Sequence, residues 1–226
     1  MKVRTEARRE AIVEAATQLF QELGYERASM NELAKRLGGS KATLYGYFAS
    51  KEELFSAVVR AAATAHLSDA ILRLQAPCAG QTDLRSMLLH FGECMLQVVT
   101  NDAIAIAVYR MVVAEAGRSD VGQLFYQAGP SESVVAVATV LEAAMARGEL
   151  RQSDPTIAAL HFLALLTAEV EVRIYQRDPP PLPPSTVRKM VERAVEMFLF
   201  GAAPRPAASA ASTTAGKPAA RKRARA

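Results

Sequence analysis

The stretch Ser40 to Lys51 (SKATLYGYFASK) gathers hydroxyls, phenols and cations at spacings that suit an anionic partner. Ser40, Thr43, Tyr45 and Tyr47 can each offer an O–H to a phosphate oxygen, Lys41 and Lys51 bring positive charge, and no carboxylate falls between Gly38 and Ser50. Such donors fix the register of a protein on a nucleic acid, while residues at base edges carry the sequence information. On a helix, Leu44 and Phe48 lie four apart and turn inward, leaving Ser40, Thr43 and Tyr47 on another face with Lys41, Ala42 and Tyr45 beside it. A lysine in the first turn of a helix opposes the macrodipole, so Lys51 is expected instead to join nearby free N–H groups in holding an anion. The bland alternative is a solvated basic turn between two core helices.

Other chemistries find little support. A nucleophile with its base, a metal constellation or a phosphate-binding glycine loop is not found; His66, His90 and His161 are scattered singles, so no catalytic residue, metal or cofactor is expected. Cys78 and Cys94 are too few and too awkwardly spaced for a disulfide framework, which fits a reducing cytoplasm. The alternative function is a thiol redox-sensing DNA-binding regulator that uses Cys78 or Cys94. The charged segment from Met1 to Glu10 lacks the apolar core of a secretory signal. The longest apolar stretch, Ile157 to Ala168, contains His161 and falls short of the roughly 20 residues that a membrane span needs, so no membrane partner is expected.

The elements that must position the basic stretch read as helices throughout. Half of the 226 residues are hydrophobic, Trp is absent, and Leu, Ala, Met, Glu and Arg are plentiful, which favours an all-α fold. Ile12, Ala16, Leu19, Phe20 and Leu23 give a first helix one apolar face, with Gly24 as its stop. Ser29 with Glu32, and Ser50 with Glu53, have the spacing of capping boxes, and Ser40 caps the short helix between them. The segment Met30 to Phe48 is thus a helix, a tight glycine turn and a second helix, the arrangement that places its second helix in a DNA major groove. A long helix then runs towards Leu74. Further helices are predicted from Leu84 to Val98, from beyond Asp102 to Gly117 and, after a short segment from Asp120 to Ala128 and a Gly129-Pro130 break, up to Gly148. Asp154-Pro155 starts a helix extending through Ile174, and Ser185 is expected to cap a last one, Thr186 to Phe200.

Charge is unevenly spread. Residues 1–60 carry ten Lys and Arg against eight Asp and Glu, residues 61–201 eleven against fifteen, and residues 202–226 six against none. The basic balance is therefore mostly a property of the tail, which is expected to be disordered and could add sequence-independent DNA affinity or serve only solubility.

The residues ERASMNELAKRLGGSKATLYGYFASKEELF resemble the signature of TetR-type transcription regulators, with Thr43-Leu44-Tyr45, Tyr47-Phe48 and Lys51 in matching positions over about residues 5–56. Gly39 departs from it, standing where the family usually has an aliphatic residue. The resemblance implies phosphate contacts from Ser40, Tyr45, Tyr47 and Lys51 and base contacts from Lys41, Ala42 and Thr43. It divides the chain into a helix-turn-helix DNA-binding domain (1–50), a helical ligand-binding and dimerisation domain (51–201) and the tail (202–226). Operator DNA, a second copy and a small hydrophobic or aromatic ligand are the implied partners, and repression the implied outcome. The two dimer helices are expected at Ser131 to Arg147 and Thr156 to Tyr175, with Val134, Val137, Leu141, Leu160, Leu163, Thr167 and Val170 at the interface. YRMVVAEAGRSDVGQLFYQAGP, from Tyr109 to Pro130, further resembles regulators with an AefR-like C-terminal domain. A ligand pocket among the middle helices would draw on His90, Phe91, Cys94, Met95, Tyr109, Phe125, Tyr126, Phe162 and Glu169, although each suits plain core packing as well.

Overall fold

The structure is a computed structural model that describes residues 5–75, 83–177 and 179–204, without the side chains of 63–69, 73 and 75. Every regular element among the described residues is helical: α1 (Glu6–Arg27), α2 (Met30–Arg36), α3 (Lys41–Tyr47), α4 (Lys51–Gln75), α5 (Leu84–Asn101), α6 (Ala103–Glu115), α7 (Val121–Ala128), α8 (Pro130–Ala146), α9 (Pro155–Thr167) and α10 (Pro184–Ala202), with a 3-10 turn at Glu171–Tyr175. The all-α expectation holds. Cys78 and the tail from residue 205 lie outside the described residues.

Helix starts follow the capping chemistry. The hydroxyls of Ser29 and Ser40 accept the N–H groups of Glu32 and Thr43, and the Asp154 carboxylate accepts that of Ile157, each satisfying a donor that has no partner inside the first turn. Ser50 accepts the N–H of Glu53, whose carboxylate reaches back to the N–H of Ala49 at 2.6 Å. Ser185 is not a cap. Pro184 occupies the first helical position of α10, where its fixed φ and missing N–H cost nothing, and α10 runs past Gly201 to Ala202.

Two helix ends differ from the sequence pattern. Gly24 has φ +76°, a left-handed conformation that breaks α1, but helical hydrogen bonding resumes as far as Arg27. α9 stops at Thr167 rather than continuing to Ile174. There the carbonyls of Arg173, Ile174, Gln176 and Arg177 turn onto the guanidinium of Arg110 on α6, a tertiary clasp that pulls the chain into the 3-10 turn.

The helices enclose two apolar clusters. One joins α4, α5, α8, α9 and α10 around Phe91, Leu141, Phe162, Leu166 and Phe198, with Phe162 packed against both Phe91 and Phe198 at ring separations of 6.5 and 5.2 Å. The other lies beneath the helix-turn-helix. Phe20, Tyr25 and Phe55 form its aromatic centre, with ring separations of 5.0–5.7 Å, and Val108, Val112, Val121 and Ala128 of α6 and α7 complete it. Apolar packing therefore crosses residue 50.

Candidate nucleic-acid interface

α3 is held from below and open above. Leu44 and Phe48, 2% and 0% exposed, pin it to the cluster under the helix-turn-helix, while every residue from Gly38 to Thr43, and Tyr45, faces solvent. The turn that delivers it depends on Gly38, at φ +60°, where the N–H groups of Gly38 and Gly39 return to the carbonyls of Lys35 and Ala34 and close the end of α2.

Each sequence-proposed contact can be placed. Ser40 and Thr43 join hydroxyls at 2.9 Å, so the N-cap of α3 also orients a side chain proposed for bases. The ammonium of Lys41 lies 5.6 Å from the ring centroid of Tyr45, a cation–π contact that gathers both on the outer face beside exposed Ala42. Tyr47 is half-buried, and its hydroxyl oxygen accepts the N–H of Thr5 at 3.3 Å, tying the start of α1 to α3.

Lys51 lies in the junction of α1 and α4. Its ammonium does not point towards this face but lies 4.2 Å from the centroid of the Tyr25 ring and donates to the carbonyls of Tyr25, Glu26 and Ala28 at 3.1, 3.5 and 3.4 Å. Carbonyls at the end of a helix lack intrahelical partners, and a three-donor cation there also complements the negative end of the macrodipole. The Tyr25 hydroxyl donates to Glu52 at 3.3 Å in the same junction, and its burial together with that carboxylate pushes the phenol well above its ordinary pKa.

Sequence reasoning missed the first turn of α1. Arg8 donates through Nη2 to the carbonyl of Leu37 at 3.3 Å, and the Arg9 guanidinium covers the Phe48 ring at 5.0 Å. The signal was Gly39, where a long side chain would reach the Arg8 guanidinium.

The proposed ligand residues do not converge on one pocket. Phe91 and Phe162 are fully buried in the larger cluster, His90, Cys94 and Met95 are half-buried along α5, and Tyr109 stacks on Phe125 at 5.7 Å, with Phe125 packed against the other cluster. Tyr126 is 49% exposed. Glu169 lies at the surface paired with Arg193, which holds its carboxyl below the usual range and removes it as a free polar anchor. The Cys94 sulfur is 3.9 Å from Nε2 of His90.

The interface residues need correcting too. Val134, Val137, Leu141 and Val170 are at most 6% exposed and point into the protomer's own core, because α8 and α9 pack on each other as well as on α4, α5 and α10. Leu163 and Thr167 are half-buried, the latter donating to the Leu163 carbonyl at 3.2 Å; of the seven, Leu160 is 43% exposed. Val135 on α8 and Ile157 on α9 are outward apolar residues as well, at 63% and 49% exposure.

Comparison with known proteins resolves the kind of molecule this is. Residues 12–58 match the model of bacterial regulatory proteins of the tetR family, and residues 86–201, just over half of the chain, match the AefR-like transcriptional repressor C-terminal domain. The chain belongs to the TetR family. TetR-family proteins are DNA-binding transcription regulators rather than enzymes. The solved structure of the Flavonoid-responsive Regulator FrrA is 31% identical, with a TM-score of 0.70 covering 89% of this chain and all of that one. A TetR-family regulator from Pseudomonas syringae pv. tomato is 28% identical, with a TM-score of 0.61 over 87% of this chain and 97% of that one. The transcriptional activator FasR of Mycolicibacterium smegmatis is 32% identical over 96 residues, 42% of this chain and 42% of that protein. The chain thus matches less than half the length of the first curated relatives, the A-factor receptor protein of Streptomyces griseus over only 18% of its length. No single described helix is long and apolar enough to cross a membrane.

Proposed function

We propose that the chain acts in the cytoplasm as a homodimeric repressor that holds a two-fold symmetric operator through α3 and releases it on binding a small hydrophobic or aromatic ligand. The observation that carries the DNA part is the outward row Ser40, Lys41, Ala42, Thr43 and Tyr45 on a helix whose opposite side is locked into the core by Leu44. Lys41, Ala42 and Thr43 approach base edges, and Ser40, Tyr45 and the free hydrogen of Tyr47 meet phosphates. A duplex selected from a random pool by the full chain supplies the probe. Tyr45→Ala should weaken binding on selected and scrambled duplexes alike, and Thr43→Ala should lose discrimination of about 1–3 kcal/mol at one position. Unchanged affinity in a Lys41→Ala, Tyr45→Ala double variant would refute the assignment.

A second copy fits the outer side of the last helices. Ile157 and Met197, 49% and 64% exposed, line a cleft of about 240 Å³ there with Met145, His161 and Leu165, and Val135, Leu160 and Phe200 are further exposed apolar residues of α8, α9 and α10. A two-fold dimer on one face of DNA places its recognition helices about 34 Å apart. Sedimentation of Ile157→Glu, Leu160→Glu at micromolar concentration should show a monomer.

The ligand class follows the FrrA likeness, since that protein is described as flavonoid-responsive, and the matched C-terminal model, described as that of a repressor, supports repression. His90, Cys94 and Met95, adjacent on α5 beside Phe91, are the set we assign to the ligand. Thermal-shift screening with flavonoids and fatty acyl compounds tests it; no stabilisation by either class would remove the hydrophobic-ligand reading.

A further inference from the structure

We propose that Arg8 is a DNA-backbone contact, seated over the turn of the helix-turn-helix because residue 39 has no side chain long enough to displace it; the inference rests on the reading that α3 enters a groove. Arg8 stands in the first turn of α1, half-buried, and its Nη2 donates to the carbonyl of Leu37, the residue that ends α2. The same nitrogen lies 3.5 Å from the point where a Cβ on Gly39 would stand. The guanidinium therefore lies across the turn itself. An alanine at 39 would make ordinary contact with it, whereas a longer side chain would push it away.

What distinguishes Arg8 from its neighbours is uncompensated charge. A guanidinium carries five N–H donors in a planar fork. Among the described residues the Leu37 carbonyl is the one protein acceptor of that side chain, and no carboxylate pairs with it. Arg9, by contrast, has Glu6 at 3.7 Å, and Arg36 has Glu22 at 2.7 Å. The position is also on the proposed reading face. Gly38 to Thr43 are all exposed directly beside it, and the Thr5–Tyr47 hydrogen bond lays the start of α1 alongside α3. A planar cation with unused donors on the same rim as Ser40, Lys41 and Thr43 suits the two terminal oxygens of a phosphodiester. Because the contact is with the backbone, it adds affinity on any sequence.

The competing role is a structural cap that only holds the Leu37 carbonyl, and the salt dependence of binding separates the two. With the duplex selected by the wild-type full chain, fluorescence anisotropy over a salt series is compared for Arg8→Gln, Arg8→Lys, Gly39→Ala, Gly39→Leu and Tyr45→Ala. Arg8→Gln, which keeps a neutral N–H donor, should weaken binding about tenfold at low salt on selected and scrambled duplexes equally. It should also flatten the slope of log K against log salt by about 0.9 for each protomer. Arg8→Lys and Gly39→Ala should keep the wild-type slope, and Gly39→Leu should reproduce Arg8→Gln. A slope unchanged in both Arg8→Gln and Gly39→Leu, whatever their melting temperatures, overturns the proposal while a weakened Tyr45→Ala leaves the groove reading standing. If Arg8→Gln does not fold, the contrast of Gly39→Ala with Gly39→Leu decides by the same slope. A wild-type chain that selects no duplex, or Tyr45→Ala that binds as wild type, overturns the groove reading itself.

Discussion

Lys51 and Tyr45 show how differently two residues of one motif can act. Tyr45 is 44% exposed, so removing its ring should leave the melting temperature unchanged while DNA affinity falls. Lys51→Ala should do the reverse, because it strips charge-assisted donors from helix-end carbonyls, at a cost of about 1–3 kcal/mol. Urea unfolding of the variant, with binding measured on its folded fraction, checks both halves; a stable Lys51→Ala with lost affinity would return that lysine to the interface. The outward row from Ser40 to Tyr45 was legible in the sequence because helical period and an N-cap serine settle which way short-range side chains point. Lys51 was not legible, since its partners stand 23 to 26 residues earlier and only the folded α1–α4 junction brings them together.

At the scale of elements, starts were easier to read than ends. Ser29, Ser40 and Asp154 cap as their types and spacing require, a local matter of one side chain and the N–H three residues on. The path of the chain beyond α9 was not local: the carbonyls of Arg173, Ile174 and Arg177, expected in or just past a continuing helix, meet Arg110, more than sixty residues away. Arg110→Ala should accordingly loosen residues 171–177 first, seen as faster amide exchange there than in α9 or α10. Gly24 couples two elements in a similar way. The Glu115 carboxylate, at the end of α6, accepts the N–H of Glu26 at 3.2 Å and occupies the place a Cβ at residue 24 would need. Gly24→Ala should destabilise by about 1–3 kcal/mol from its left-handed backbone alone. The overlap with Glu115 adds to that, so a Gly24→Ala, Glu115→Ala double variant should show coupling of about 0.5–3 kcal/mol in thermal unfolding.

For the whole molecule, fold class and helix order followed from composition and periodicity, whereas the choice of α8 and α9 as dimer helices came from the family resemblance. Their orientation followed from neither. A helix such as α9, apolar on nearly every side, does not tell from its own residues which flank meets its protomer and which is left for a second copy, and Val137 and Leu141 were assigned outward although both are fully buried. Nor did spacing alone separate aromatic residues that fill a core from those that might line a cavity. Phe162, touching Phe91 and Phe198, belongs to the first kind, and Phe162→Ala should cost about 3–5 kcal/mol in chemical denaturation without a change in operator preference.

The valines that α6 and α7 lend to the cluster beneath the helix-turn-helix bear on how hybrid regulators can be made from this scaffold. Exchanging only residues 1–50 for those of a relative would set foreign side chains against Val108, Val112 and Val121 across a seam that has to interlock. A chimera that keeps its reading specificity and still answers to this sensor therefore has to carry those positions along with the transplanted head. One cut at the nominal boundary should instead yield a poorly expressed, loosely joined protein.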